Sequence, residues 1–249
     1  MKILVILILV LLGIGIYLER AYAHIYTVIH AGGFNAPVDS NPLTIASTSD
    51  TTEKAILRYA ALGDSLTAGT GAGAAKATFP YLLATRWASQ GSTIELRNYA
   101  VSGYTAAELG ETELEPTIAN KPDVITVLIG INDARVLTPT AAFRATYERV
   151  LTALQQKTKA KIFLINIPYL GAPGLLYPPY HWILNHKIKQ LNAIIAAFAK
   201  EHQLTLLDLY TPSRSAFERH PNYYSRDLFH PSEAGYMFWA DTLYGSIHL

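Results

Sequence analysis

A serine hydroxyl is a weak nucleophile at neutral pH unless a base removes its proton and a third group holds that base in the right tautomer. Four short stretches of this chain carry residues of those types: Gly63-Asp64-Ser65-Leu66, Ser102-Gly103, Gly130-Ile131-Asn132-Asp133 and Asp227-Leu228-Phe229-His230. Asp227 stands three residues before His230, so one turn lets the carboxylate accept a hydrogen bond from the ring and leaves the other ring nitrogen for Ser65. The backbone N–H groups of Ser65 and Gly103 and the side-chain amide of Asn132 are three candidate donors to an oxyanion. Loss of one such donor typically costs on the order of 3 kcal/mol of barrier. Singly, each stretch has a plainer explanation: a turn or cap serine, a turn glycine, a turn asparagine, and a loop before a helix opened by Pro231. Together they point to a hydrolytic serine enzyme, with Asp64 and Asp133 expected as structural hydrogen-bond partners.

The elements that must position these residues follow from hydrophobic patterning. Short apolar runs predict strands over residues 55–62, 94–100, 123–129, 161–166 and 204–209. The third, Val-Ile-Thr-Val-Leu-Ile at its centre, can be covered on both faces only in a parallel sheet. Helical spacing predicts helices over 80–89, 105–114 (stopped by Pro116), 140–156, 183–202 and 232–244. Five strands alternating with helices make an α/β fold, a three-layer doubly wound sandwich whose sites lie at the carboxyl ends of the strands. All four stretches fall at such ends or in the loop before the last helix.

The amino terminus is different. Residues 3–18 form an uninterrupted apolar run bounded by Lys2 and by Glu19 and Arg20. At 1.5 Å per residue it reaches about 24 Å, between a cleaved signal core and a full membrane span of roughly 30 Å. Both an uncleaved anchor and a signal peptide cut after Ala23, in Ala21-Tyr22-Ala23, fit this pattern. Lys2 favours a cytoplasmic amino end, which puts the rest of the chain on the extracytoplasmic side, membrane-anchored or, if cut, secreted. The chain thus divides into a membrane anchor or signal segment (1–20), a spacer rich in Ser, Thr, Asp and Asn (21–54) and a catalytic domain (55–249).

Composition narrows the partners. The 249 residues carry 20 Lys and Arg against 19 Asp and Glu, so no basic excess gathers nucleic acid. There is no cysteine, which excludes disulfides and thiolate metal sites. Residues 169–182 include Tyr177, Pro178, Pro179, Tyr180 and His181. This segment either walls an acyl pocket, with Tyr177 and Tyr180 touching substrate, or serves as a rigid surface connection.

With these residues on these strand ends, the chain resembles the GDSL, or SGNH, hydrolase family, named for the Ser, Gly, Asn and His that are Ser65, Gly103, Asn132 and His230 here. Asn98-Tyr-Ala-Val-Ser-Gly103 and His230-Pro-Ser-Glu-Ala-Gly235-Tyr236 extend the likeness, which runs from Ile56 to the last helix. The resemblance implies a flavodoxin-like sheet, a Ser65, Asp227 and His230 triad, no metal and no organic cofactor. It implies hydrolysis of carboxylic esters or thioesters, in the manner of an esterase, lysophospholipase or thioesterase, or of a carbohydrate O-deacetylase. The expected partners are an acyl ester, small or lipid-like, and a membrane. Thr67 occupies the last place of a would-be Gly-x-Ser-x-Gly, so the serine is not on the α/β-hydrolase nucleophile elbow.

Two other classes compete. Gly69-Thr-Gly71-Ala-Gly-Ala74 satisfies the dinucleotide fingerprint, but six residues separate it from the first strand and no acidic residue closes the second. A membrane-tethered binding protein without turnover would also keep the fold, although the complete Ser, Asp and His set argues against it.

Overall fold

In the computed structural model, residues 2–31, 36–37, 42–48, 55–169 and 171–247 are described. The chain runs through α1 (Lys2–Ala31), β1 (Leu43–Ile45), β2 (Ile56–Gly63), α2 (Ser65–Ala68), α3 (Phe79–Ala88) and β3 (Thr93–Asn98). It continues through α4 (Ala106–Thr112), α5 (Leu114–Ala119), β4 (Val124–Leu128), α6 (Ile131–Arg135), α7 (Thr140–Lys157) and β5 (Lys161–Ile165). It closes with α8 (Tyr180–Glu201), β6 (Thr205–Leu207), α9 (Tyr210–Arg219) and α10 (Glu233–Tyr244).

Among the described residues the strands make one mixed sheet of order β1-β3-β2-β4-β5-β6. The five strands from β2 to β6 pair in parallel, and their order is that of flavodoxin-like folds. All five residues of β4 and the last five of β2 are buried, as expected of central strands covered by helices on both faces. Right-handed crossovers put α3 on one face and α4, α5, α7 and α8 on the other. α10 packs on α3, so the last helix returns to the face of the first crossover. α7 shows how the sequence achieves this: Phe143, Tyr147, Val150, Leu151 and Leu154 form one buried stripe at helical spacing.

The chain turns inward at the carboxyl ends of β2 and β4, neighbours from which successive crossovers leave in opposite directions. That switch point is where a doubly wound sheet opens a crevice, and Ser65 and Asn132 begin the two turns that flank it.

The structure corrects the sequence expectations in four places. The apolar helix does not stop at residue 20 but runs to Ala31, because Leu18, Ala21, Ile25, Val28 and Ile29 recur at helical spacing and pack against the domain. Leu43–Ile45, inside the expected spacer, forms a sixth strand antiparallel to β3, whose edge would otherwise be open. Pro116 does not end a helix; it sits in the first turn of α5, where a missing N–H costs nothing. α9 was not expected, and Pro212 likewise sits in its first turn. Residues 32–35, 38–41 and 49–54 of the expected spacer lie outside the described residues.

One polar contact in the centre of the sheet has a testable energy. The Tyr59 hydroxyl and Thr126 Oγ1 lie 2.8 Å apart on adjacent strands, both wholly buried. Tyr59→Phe should destabilise by about 1–2 kcal/mol in urea unfolding, because Thr126 is left unpaired. Tyr59→Phe with Thr126→Val should cost less than the two single changes added together.

Candidate active site

Gly63 ends β2 in close contact with β4: a Cβ there would come within 2.2 Å of the Leu128 carbonyl oxygen. Asp64 follows as the cap of α2, its Oδ1 accepting from the Leu66 N–H at 3.0 Å. Ser65 therefore starts a helix and is 5% exposed. The Asp64 carboxyl lies buried beside the backbone of Gly130 and Ile131, and the turn carrying Ser65 is joined to the end of β4 where Thr67 Oγ1 donates to the Leu128 carbonyl at 3.4 Å.

The loop after β3 is tied in the same way. Asn98 donates from Nδ2 to the Thr67 carbonyl at 2.8 Å and accepts from the Ala100 N–H at 3.2 Å. Thr70 Oγ1 and Ser102 Oγ are 3.0 Å apart. Asp133 Oδ2 accepts from the Ala106 N–H at 2.9 Å, and Asn132 Nδ2 donates to the Tyr104 carbonyl at 3.0 Å. Gly103 is thus bracketed by contacts to both neighbouring turns, and Asp64 and Asp133 are indeed structural hydrogen-bond partners.

The histidine arrives 165 residues after the serine on a narrow loop in which Leu228 has φ +56°. Asp227 Oδ1 gathers the Ser225 hydroxyl at 2.7 Å and the N–H groups of Phe229 and His230, each at 2.9 Å. Its Oδ2 faces His230 Nδ1 at 2.6 Å, and His230 Nε2 lies 2.8 Å from Ser65 Oγ. Burial pushes the Asp227 carboxyl up, but the hydrogen bond and charge of His230, with the donors from Ser225 and Phe229, outweigh it and hold the group below the usual carboxylate value. Such an arrangement can accept the serine proton at Nε2 while a neighbouring anion stabilises the imidazolium.

The glycine loop after α2 serves this junction. Gly71 has φ +95°, and a Cβ on it would lie 2.4 Å from the Pro231 carbonyl oxygen. The Gly73 N–H donates to Glu233 Oε1 at 3.1 Å, and the Tyr236 hydroxyl to the Thr70 carbonyl at 2.8 Å. A carboxylate thus occupies one of the N–H groups that the dinucleotide reading would offer to a phosphate.

A cavity of about 600 Å³ opens over Ser65, Gly103, Asn132 and His230, with Ser102, Arg135, Val136 and Phe229 around it. Its remaining wall is α1, through Tyr22, Ile25, Tyr26 and Ile29. The expected substrate contacts Tyr177 and Tyr180 are not in this lining. Tyr177 packs its ring on His24, while Tyr180 packs on Tyr22 and donates to the Leu18 carbonyl at 3.1 Å. They hold α1, and α1 in turn walls the cavity. The α1 residues escaped the sequence reading, although the spacing of Leu18, Ala21, Ile25 and Val28 signals a helix with a face to bury. A larger surface depression of about 820 Å³ between Gly71 and Met237 contains none of Ser65, Gly103, Asn132 and His230.

The GDSL-like Lipase/Acylhydrolase family model matches residues 61–238. No curated protein matches the sequence. Solved structures of the same fold include a psychrotrophic esterase from Pseudoalteromonas sp., 18% identical with a TM-score of 0.61, covering 76% of this chain and 95% of that one. A lipase/acylhydrolase from Enterococcus faecalis is 22% identical, TM-score 0.61, with 76% and 94% covered. An acetylxylan esterase from Geobacillus stearothermophilus is 20% identical, TM-score 0.63, with 82% and 96% covered. At these identities the likeness is one of fold.

Behind the turn that carries Ser65 lies a second carboxyl, Glu113, whose Oε2 accepts from the Gly63 N–H at 3.1 Å. Burial, with the nearby Asp64 adding to it, pushes Glu113 up to about 9, and burial pushes Asp64 itself up to about 7. The folded protein therefore keeps a proton on Glu113 that the unfolded chain loses near 4.5. The resulting stabilisation is fully present below the unfolded value and is lost as pH rises toward about 9. Glu113→Gln has no such proton to lose. Its Tm relative to wild type should rise steadily from pH 5 to pH 9 in thermal scans; a constant difference would refute the buried neutral acid.

Proposed function

The chain belongs to the GDSL-like lipase/acylhydrolase family, and on that premise we propose that it cleaves carboxylic esters or thioesters at Ser65 through an acyl-enzyme. The observation that carries this reading is the run from Ser65 Oγ to His230 Nε2 at 2.8 Å and from His230 Nδ1 to Asp227 Oδ2 at 2.6 Å. Ser65 Oγ attacks the acyl carbon while its proton passes to His230 Nε2. Asp227 stays ionised, fixes the ring tautomer and stabilises the imidazolium.

The carbonyl electrons collect on oxygen, which meets the N–H groups of Ser65 and Gly103 and the amide of Asn132. One N–H of that amide is committed to Tyr104, which orients the other toward the cavity. As the intermediate collapses, His230 gives its proton to the leaving alkoxide or thiolate. Water then attacks the acyl-enzyme, losing a proton to His230, and the acid departs as Ser65 regains its hydrogen.

The long apolar α1 serves in this reading as an uncleaved anchor that leaves the domain on the extracytoplasmic side. Its helix passes unbroken through Ala21-Tyr22-Ala23, and Ala21 is 4% exposed against the domain, which supports retention over cleavage after Ala23. A spacer and a catalytic domain follow the anchor in the proposed organisation, with β1 pinning part of the spacer to the sheet edge.

Ser65→Ala should lower kcat by roughly a thousandfold or more and abolish labelling by a fluorophosphonate probe, with circular dichroism unchanged. Absence of labelling in well-folded wild-type protein would instead favour a binding protein. Short and long p-nitrophenyl esters, an acyl thioester, a lysophospholipid and acetylated xylan together separate an acyl hydrolase from a carbohydrate O-deacetylase.

A further inference from the structure

α1 is both the membrane-length helix and one wall of the cavity over Ser65. From Lys2 to Leu18 the helix rises about 24 Å, most of the thickness of a bilayer hydrocarbon core, and Glu19 and Arg20 mark its outer edge. Tyr22 to Ile29 lies roughly 6 to 17 Å farther along, in the headgroup layer and the water just beyond it. Those are the residues that face the cavity.

The union of helix and domain is fixed by several contacts. Tyr17 donates to the Pro178 carbonyl at 2.8 Å, Tyr180 to the Leu18 carbonyl at 3.1 Å, and His24 Nε2 lies 2.6 Å from the Gly174 carbonyl. Around the same exit the domain exposes an apolar rim. Val136 borders the cavity, and Leu137 shares a surface depression with Trp182 and Ile183, next to the Tyr180 turn that grips α1. Trp182 is 65% exposed, Val136 54%, Leu137 53% and Ile183 44%, a density of apolar surface that water disfavours and a bilayer interface accepts.

We propose, building on the serine acyl-hydrolase reading, that the cavity is a lateral entrance for a lipid acyl chain from the leaflet that α1 crosses. The chain lies along Ile25 and Ile29, the rim of Val136, Leu137, Trp182 and Ile183 rests in the interface, and the ester reaches Ser65 without leaving the membrane surface. The wall residues of α1 thereby set acyl-length preference, and the substrate class is a membrane amphiphile and not a soluble acetyl ester.

The test uses the full chain reconstituted in phosphatidylcholine vesicles, with p-nitrophenyl acetate as the soluble ester and palmitoyl lysophosphatidylcholine as the membrane ester. Ile29→Trp should lower the membrane-to-soluble ratio of kcat/KM by about tenfold by filling the cavity. The exposed pair Leu137→Asp and Trp182→Asp, which cannot disturb the core, should lower the same ratio by a similar factor, and the wild-type rate should follow surface mole fraction of lysolipid. An unchanged ratio in the rim double variant, or a wild-type rate that follows bulk concentration, overturns the proposal. If the wild type hydrolyses neither ester and takes no fluorophosphonate label, it is the serine hydrolase reading that fails.

Discussion

Three loops from three different strands must meet within a few ångströms, and a small set of buried polar contacts under them is what holds them there. The Asp64 carboxyl caps α2 through Leu66 and lies buried beside the backbone of Gly130 and Ile131, under the turns that carry Ser65 and Asn132. Asp133, Asn98 and the Thr70–Ser102 hydroxyl pair extend the same tie to the third loop. Rigidity at the reacting centre therefore comes from polar groups under the floor of the cavity, in keeping with the rule that first contacts need a supporting shell.

The parallel core and the four stretches at its edge were legible in the sequence because each depends on local pattern. Val124–Leu128 has no polar alternation and cannot be an exposed strand; Asp227 and His230 are three apart and must lie on one turn. What escaped depends on partners far away in the chain. Leu43–Ile45 is too short to declare itself and becomes a strand only because the β3 edge accepts it. Pro116 and Pro212 look like stops, yet both lie in first turns, where proline is tolerated. The stripe of Leu18, Ala21, Ile25 and Val28 was obscured by Glu19 and Arg20, which interrupt the apolar run without interrupting the helix. Tyr177 and Tyr180 illustrate the same limit: an aromatic loop near the site is visible, but whether it holds a ligand or a helix is decided by what docks on it.

The glycine-rich turn after α2 shows how a familiar pattern is put to a different use. Gly71 permits contact with the Pro231 carbonyl, Gly73 binds Glu233, and the adjoining Thr70 carbonyl receives the Tyr236 hydroxyl. The small side chains are required by the approach of a protein backbone where a dinucleotide-binding loop would have the approach of a pyrophosphate.

Those same contacts join the beginning of the domain to its end. Ser65 meets His230 Nε2 only across 165 residues of chain, and the turn after α2 is steadied by Tyr236 of α10, the final helix. A nascent chain thus holds Ser65 without its histidine partner through most of the synthesis of the domain. The contact between Ser65 and His230 therefore closes only when nearly the whole domain has emerged, which makes it one of the last features of the fold to be assembled.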